Sequence, residues 1–241
     1  MSTRNCDVSI KFATHRCRSP SRAPAWGRHH AGVGANYPPP PWRLTGRLLI
    51  AMAPLRLEAA RGLVPAPLRV LPAWSGHALA MLLLGSYDER STLRYGELAG
   101  IVGPVLAGAR LGGMVTAIWA DDERSVAGGR QLWGLPKELA TLRWRSGAVE
   151  VHDLAGAPIA HARWHEPRVH VPVAAAAPFI AVLDGAVRRG WLAGGMQLAP
   201  ARIELEIPPG SPLAPLALGG RRIGLTGRLD VRALAAHDVA T

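Results

Sequence analysis

A mainly β fold of the α+β kind is predicted by the sequence: one antiparallel sheet system or barrel, with a few short helices. Three observations predict it. Short apolar segments, several of them strictly alternating, recur between residues 42 and 231. The 27 glycines and 21 prolines among 241 residues cut these segments apart at short intervals. Helical periods of useful length are scarce. That combination is the pattern of strands joined by turns around one core.

The elements follow in order. Arg43–Met52 is the first predicted strand. Pro54 and Gly62 bracket a short helix over 55–61, with proline in the first turn and glycine past the end. Val64-Pro-Ala-Pro67 forces an extended exit. His77–Tyr87, Tyr95–Leu106 and Met114–Ala120 are predicted strands, the last ended by the acidic turn Asp121-Asp-Glu-Arg124. Gly128–Lys137 is loop-like, rich in glycine and closed by Pro136. Thr141–Trp144 and Ala148–His152 flank Arg145-Ser-Gly147 as a hairpin. Ile159–His165 and Arg168–Val173 continue the β pattern, and Ala174–Arg189 is assigned to a helix despite Pro178. Arg202–Ile207 alternates with Ile203, Leu205 and Ile207 on one face, and Arg222–Val231 alternates too.

Residues 1–35 mix Arg, Ser, His, Gly and Pro without an apolar period and are expected to be a disordered basic extension. Residues 36–241 form the predicted domain. The N-terminal stretch lacks the continuous apolar run of a secretory signal, so a cytoplasmic location is expected. Ala78–Leu84 and Val171–Leu183, the most apolar runs, are shorter than the ~20 residues of a spanning helix. Cys6 and Cys17, the only cysteines, exclude a disulfide scaffold.

The formal net charge is +11, which by itself suggests nucleic acid. Its distribution argues otherwise. Residues 1–35 carry six basic side chains against Asp7, and the basic residues of the body are mostly scattered singly. A phosphate-tracking surface needs them gathered on one face, so no nucleic-acid partner is expected. Of the 28 basic residues only Lys11 and Lys137 are lysines. Arginine keeps its proton in proteins, whereas lysine can lose it. Coding bias accounts for the ratio equally well, yet Lys137 is the first candidate for chemistry.

Other constellations carry less. His152, His161, His165 and His170 fall within 19 positions, without cysteine and without the spacing of a metal motif. His161 and His165 share a strand parity and His170 does not. No metal is expected. No Gly-x-Ser-x-Gly elbow, P-loop or dinucleotide fingerprint occurs.

The segment Met114–Ala140, with its strand, acidic turn, Gly129-Arg130 and Pro136-Lys137, resembles the core of the acetoacetate decarboxylase family. Leu63-Val-Pro-Ala-Pro-Leu68 is similar to the family's segment after its first helix, and Tyr95-Gly-Glu97 to its Tyr-x-Glu. The resemblance is strongest over 114–140 and fades beyond 190. It implies a cone-like barrel enclosing an apolar cavity. It also implies Lys137 as the nucleophile that forms a Schiff base with a small β-keto acid, and Glu97 as proton handler or positioner. The enzyme that names this family is itself a recognised case of an activated lysine. An amine attacks only when neutral, and apolar burial disfavours the ammonium. The imine is the electron sink, so neither cofactor nor metal is implied. The family assembles into oligomers, so a homo-oligomer is expected, with no membrane partner.

Substrate-binding candidates are Arg47, Tyr95, Arg130 and Trp133. Arg47 falls near the family's substrate-carboxylate arginine, one residue out of register. Arg130 serves equally as a loop anchor and Trp133 as a wall or core residue. The family's second lysine is replaced by Glu138, which an extended backbone would turn to the opposite face from Lys137. A second family glutamate falls near Leu82 and is absent. Two other readings keep the same barrel: aldol or dehydration chemistry on a larger oxo acid, and binding of a small acid without turnover.

Overall fold

The computed structural model describes residues 36–220 and 222–240. The expectation of disorder over residues 1–35 lies outside them. The chain opens on the long strand β1 (Trp42–Arg56), followed by helix α1 (Leu57–Leu63) and the short β2 (Arg69–Val70). Three long strands come next: β3 (His77–Tyr87), β4 (Tyr95–Ala107) and β5 (Arg110–Ala120). Helix α2 (Glu123–Trp133) leads into β6 (Lys137–Leu139). Then come β7 (Thr141–Arg145), β8 (Ala148–His152), β9 (Pro158–Trp164), β10 (Val171–Leu183), β11 (Ala186–Pro200) and β12 (Ile203–Glu206). A 3-10 turn over Ala214–Leu216, β13 (Ile223–Ala233) and β14 (His237–Asp238) complete it.

Strands β4, β3, β1, β13, β11, β10 and β5 pair in that order, and β4–β5 pairing closes the ring into a seven-stranded barrel. It is antiparallel except where β10 meets β5 at Phe179–Ile180 and where β6 is added beside β5. A second antiparallel sheet, β12-β9-β8-β7, is not hydrogen-bonded to it and packs against its outer side. Strands β1, β3, β4 and β5 therefore have two apolar faces, whereas β13 turns Arg228, Asp230 and Arg232 outward to solvent. Along β1, Leu44, Leu48 and Ile50 belong to an inner cluster with Tyr87, Tyr95, Leu229 and Trp133. Leu49, Ala51, Ala53 and Leu55 join the outer core with Leu82, Leu98, Val149 and Leu205. The period of two explains why β1, β3, β4 and β5 are apolar at most positions and β13 at every second one.

Three assignments need correction. Residues 174–189 are not a helix: β10 runs to Leu183 and turns into β11, a long strand that no sequence pattern announced. Asp184-Gly185, both at positive φ, is the two-residue hairpin signal. The pairing Leu183–Ala186 that it sets overrides the helical preference of the alanines. Residues 128–133 are not loop: α2 begins after Asp122, whose carboxylate accepts the Ser125 N–H, and ends at Gly134 in the left-handed region. Pro54 lies inside β1, opposite Leu79, and the helix begins at Leu57. No helix among the described residues is long and apolar enough to cross a membrane.

Candidate active site

The site is built from β4, β6 and α2. β6 runs parallel to β5 with Lys137 beside Ile118 and Glu138 beside Trp119. Ile118 belongs to a cluster facing the barrel interior, with Ala99, Leu83 and Phe179. Trp119 belongs to the outer core. Adjacent residues of a strand point to opposite faces, so Lys137 faces inward and Glu138 outward. The lysine is 2 % exposed.

Helix α2 lies directly against the lysine. A Cβ on Gly129 would stand 2.8 Å from Lys137 Cδ, and one on Gly128 would stand 2.6 Å from the Trp42 indole. These two glycines cost helix stability and let the helix close over the barrel end. The capped first turn then delivers Ser125, fully buried, with Oγ 2.9 Å from Lys137 Nζ. From β4 the Glu97 carboxylate comes to 2.5 Å of Nζ, forming a buried ion pair. Tyr87 donates to Glu97 Oε1 at 3.1 Å and Tyr95 to Oε2 at 3.4 Å. The Tyr95 ring centroid is 4.8 Å from Nζ, within cation–π range.

The electrostatics follow from burial. Tyr87 is held well above the usual phenol range, first by burial and then by the neighbouring Glu97 charge. Tyr95 is raised too, by burial and the same charge. Both phenols are thus neutral donors to the carboxylate. Asp121 is pushed up by burial, against the opposing hydrogen bond from the Gly96 N–H at 2.6 Å. Partial burial opposes ionisation of Asp122, yet the hydrogen bonds from Arg124 and the Ser125 N–H hold its carboxyl below the usual range.

The candidate residues read from the sequence divide into three sets. Lys137, Glu97 and Tyr95 meet. Arg130 reaches the cluster only through a 3.3 Å hydrogen bond to the Lys137 carbonyl, as an anchor of the strand that carries the lysine. Trp133 and Arg47 do not meet it. The Trp133 indole donates to the Leu234 carbonyl at 2.7 Å and packs edge-on against Trp42. Arg47 projects from the outer side of β1, opposite Ser86 and Arg228, and pairs with Glu166 at 3.7 Å. The offset of one residue put it on the wrong face, and its assignment to substrate is withdrawn. Leu82 is fully buried in the outer core. Among the described residues no group of three or more His, Cys, Asp or Glu is placed to hold a metal ion.

Two members of the cluster were missed. Tyr87 pairs directly with Tyr95 across the β3–β4 hairpin, so the hairpin register points to it. Ser125 is three residues after Asp122, the spacing of a capped helix start, which a loop assignment hides.

Fold and site together define a class: a closed seven-stranded barrel carrying a buried lysine–glutamate pair under a short capped helix. The model of the family described as acetoacetate decarboxylase (ADC) matches residues 20–178, and the chain belongs to that family. Acetoacetate decarboxylase 3 of Mesorhizobium japonicum is 33 % identical over 107 residues, covering 44 % of this chain and 40 % of that protein. Protein NEOXANTHIN-DEFICIENT 1 of Oryza sativa subsp. japonica is 30 % identical over 116 residues, covering 48 % and 38 %. The match thus spans about two fifths of these relatives' length. Among solved structures, acetoacetate decarboxylase from Legionella pneumophila superposes with a TM-score of 0.64 at 20 % identity, covering 85 % of this chain and 89 % of that one. The enduracididine biosynthesis enzyme MppR complexed with pyruvate gives 0.57 at 14 % identity, covering 87 % and 94 %. These two likenesses support the fold.

Proposed function

We propose that the chain is a Schiff-base-forming lyase that decarboxylates a β-keto acid, with Lys137 as nucleophile and Glu97 as proton handler. The observation that carries this reading is the enclosure of Lys137 Nζ between Glu97, Ser125 and the Tyr95 ring. A proton passed from the ammonium to the Glu97 carboxylate leaves a neutral amine without changing the net charge of the site. Burial favours that exchange, because it removes two desolvated charges at once.

The amine adds to the ketone carbon, and loss of water gives the iminium. The bond to the carboxylate carbon then breaks, carbon dioxide leaves, and the electron pair moves into the iminium as an enamine. A proton returned to the enamine carbon, and water added to the resulting iminium, release the ketone and restore the amine. Glu97 carries the protons in these steps. Tyr87 and Tyr95 hold it in place. The imine is the electron sink, so the scheme contains no step for a metal or cofactor.

A second reading keeps the lysine and directs the enamine to aldol or dehydration chemistry on a larger oxo acid. The departures from the family pattern favour it: Glu138 stands where the family has its second lysine, and Leu82 falls where it has a second glutamate. In either case we infer a cytoplasmic homo-oligomer built on residues 36–241, with residues 1–35 as an extension.

Borohydride trapping with keto acids, followed by peptide mapping, tests the mechanism. The expected adduct is on Lys137. Lys137→Arg keeps a cation that cannot deprotonate, and it is expected to abolish trapping and turnover while the fold survives. Normal turnover in that variant would sink the Schiff-base mechanism.

A further inference from the structure

We propose that the carbonyl substrate carries a hydrocarbon chain of about six carbons or more, which lies along the barrel interior beyond Lys137. This rests on the Schiff-base reading and adds the class of substrate to it. The argument comes from two rings of inward residues. In the first, Lys137 stands beside Ile118, which pairs with Ala99, Ala99 with Leu83, Leu83 with Ile50, and Ile50 with Leu225. Two residues further along the strands, about 7 Å at the usual strand rise, Ile101 pairs with Met81 and Met81 with Met52. All three of these side chains are apolar.

The charged groups lie elsewhere. On β1, β3 and β4 the inward positions from Leu48 to Met52, Leu79 to Tyr87 and Tyr95 to Ile101 carry one ionisable group besides the two tyrosines, and it is Glu97. A short keto acid would use only the first ring and leave the second facing water. The interior is not closed off by packing. Met52, Met81 and Ile101 of the second ring, and Leu83 and Leu225 of the first, are all only partly buried, although they stand on the inner face of a closed barrel. Their outward-facing neighbours Ala51, Leu82 and Val102 are fully covered. Large apolar side chains left partly wet inside a ring of strands are what an apolar ligand would cover. Two of the five are methionines, whose unbranched side chains adapt to a flexible occupant.

The experiment is a chain-length series. Straight 3-oxo acids of four, six, eight and ten carbons are compared for borohydride-trapped adduct and for kcat/KM. Burial of each methylene is worth about a fourfold gain, so kcat/KM is expected to rise about 16-fold from one acid to the next until the second ring is filled. Met81→Trp, which shortens the available space, is expected to lower the eight-carbon to four-carbon ratio at least tenfold, with the fold checked by its thermal midpoint. A four-carbon acid turned over as well as the eight-carbon one would overturn the inference and leave the Schiff-base reading standing. So would an unchanged ratio in folded Met81→Trp. Titration of 2-butanone and 2-nonanone into the Lys137→Met protein separates the two ideas. If no keto acid gives an adduct with the native protein but 2-nonanone binds at least tenfold more tightly than 2-butanone, the chemistry fails and the chain-binding interior stands.

Discussion

Two ion pairs of nearly equal length stand in very different surroundings. Lys137–Glu97, at 2.5 Å, has side chains 2 % and 10 % exposed. Arg43–Asp230, at 2.6 Å, has side chains 50 % and 53 % exposed. Geometry does not separate them, and water does. The outer pair exchanges one solvated arrangement for another and fixes little. The inner pair has given up its hydration and depends on its partner, the tyrosine hydroxyls and Ser125 for every compensating contact. A charge pair that cannot retreat into solvent is tied to its few neighbours, and the chemistry proposed above rests on the inner pair for that reason.

The sharpest break of this comparison is to remove one charge. Glu97→Gln leaves the Lys137 ammonium without its counter-ion in the barrel, and about 3–5 kcal/mol of stability is expected to be lost. The double variant Glu97→Gln with Lys137→Met is expected to recover much of that loss while remaining inactive. Urea unfolding of the three proteins measures both. A single variant as stable as the parent would show that the inner pair behaves like a surface one.

The next effect is smaller and comes from the helix. Gly129→Ala places a methyl 2.8 Å from Lys137 Cδ. The overpacking is expected to cost about 1–3 kcal/mol, offset by about 1 kcal/mol of helix propensity. A net loss of about 0–2 kcal/mol is therefore expected. The lysine must move, and turnover is expected to fall more than tenfold, since small misplacements of a reacting group are costly. Kinetics and thermal unfolding on the same sample check the split. Unimpaired turnover would separate the helix from the site.

These two effects also show what the sequence could and could not disclose. The barrel was legible because most wall strands carry turn signals at their ends and apolar residues suited to burial. Lys137, Glu97 and Tyr95 were legible through the family-like string and the isolation of the lysine. Arg47 was misplaced because a strand reverses its face with every residue, and a register one position out cannot be seen without the partner strand. The Ala174–Arg189 assignment failed because alanine favours helix locally, and only pairing across Asp184-Gly185 decides otherwise. Ser125 and the packing role of Gly129 stayed hidden because helix α2 holds two glycines, which read as loop until the Asp122 cap and the packing against Trp42 are known.

Alkaline pH sharpens the comparison from the tyrosine side. Tyr87 and Tyr95 are raised by burial and by Glu97. A group whose native value is raised above its unfolded value gives stability that is complete below the unfolded value, near pH 10, and is lost as the pH climbs through the native one. The unfolded chain releases these protons first, so stability is expected to fall above about pH 10. Tyr87→Phe removes one such group and should flatten that fall by about 1.4 kcal/mol per pH unit. An unchanged alkaline slope in denaturant titrations from pH 9 to 12 would mean that Tyr87 ionises in the native state as it does in the unfolded chain.

The smallest effect is expected at the outer pair. Arg43 holds the Asp230 carboxyl below the usual range, first through its hydrogen bond and then through its charge. A lowered acid contributes stability that is present above its unfolded value, near pH 4, and is lost as the pH falls through the native one. Both groups are bathed in solvent, however, and salt screens them. Asp230→Asn is therefore expected to leave the thermal midpoint at neutral pH and physiological salt where it was. A modest drop should appear only at low ionic strength and vanish on acidification, when the native carboxylate is itself protonated. Melting curves at two salt concentrations and two pH values test this. A fall as large as that of Glu97→Gln, insensitive to salt, would mean that the Arg43–Asp230 pair is shielded in solution, and the contrast between the inner and outer pairs would then have to be drawn from packing alone.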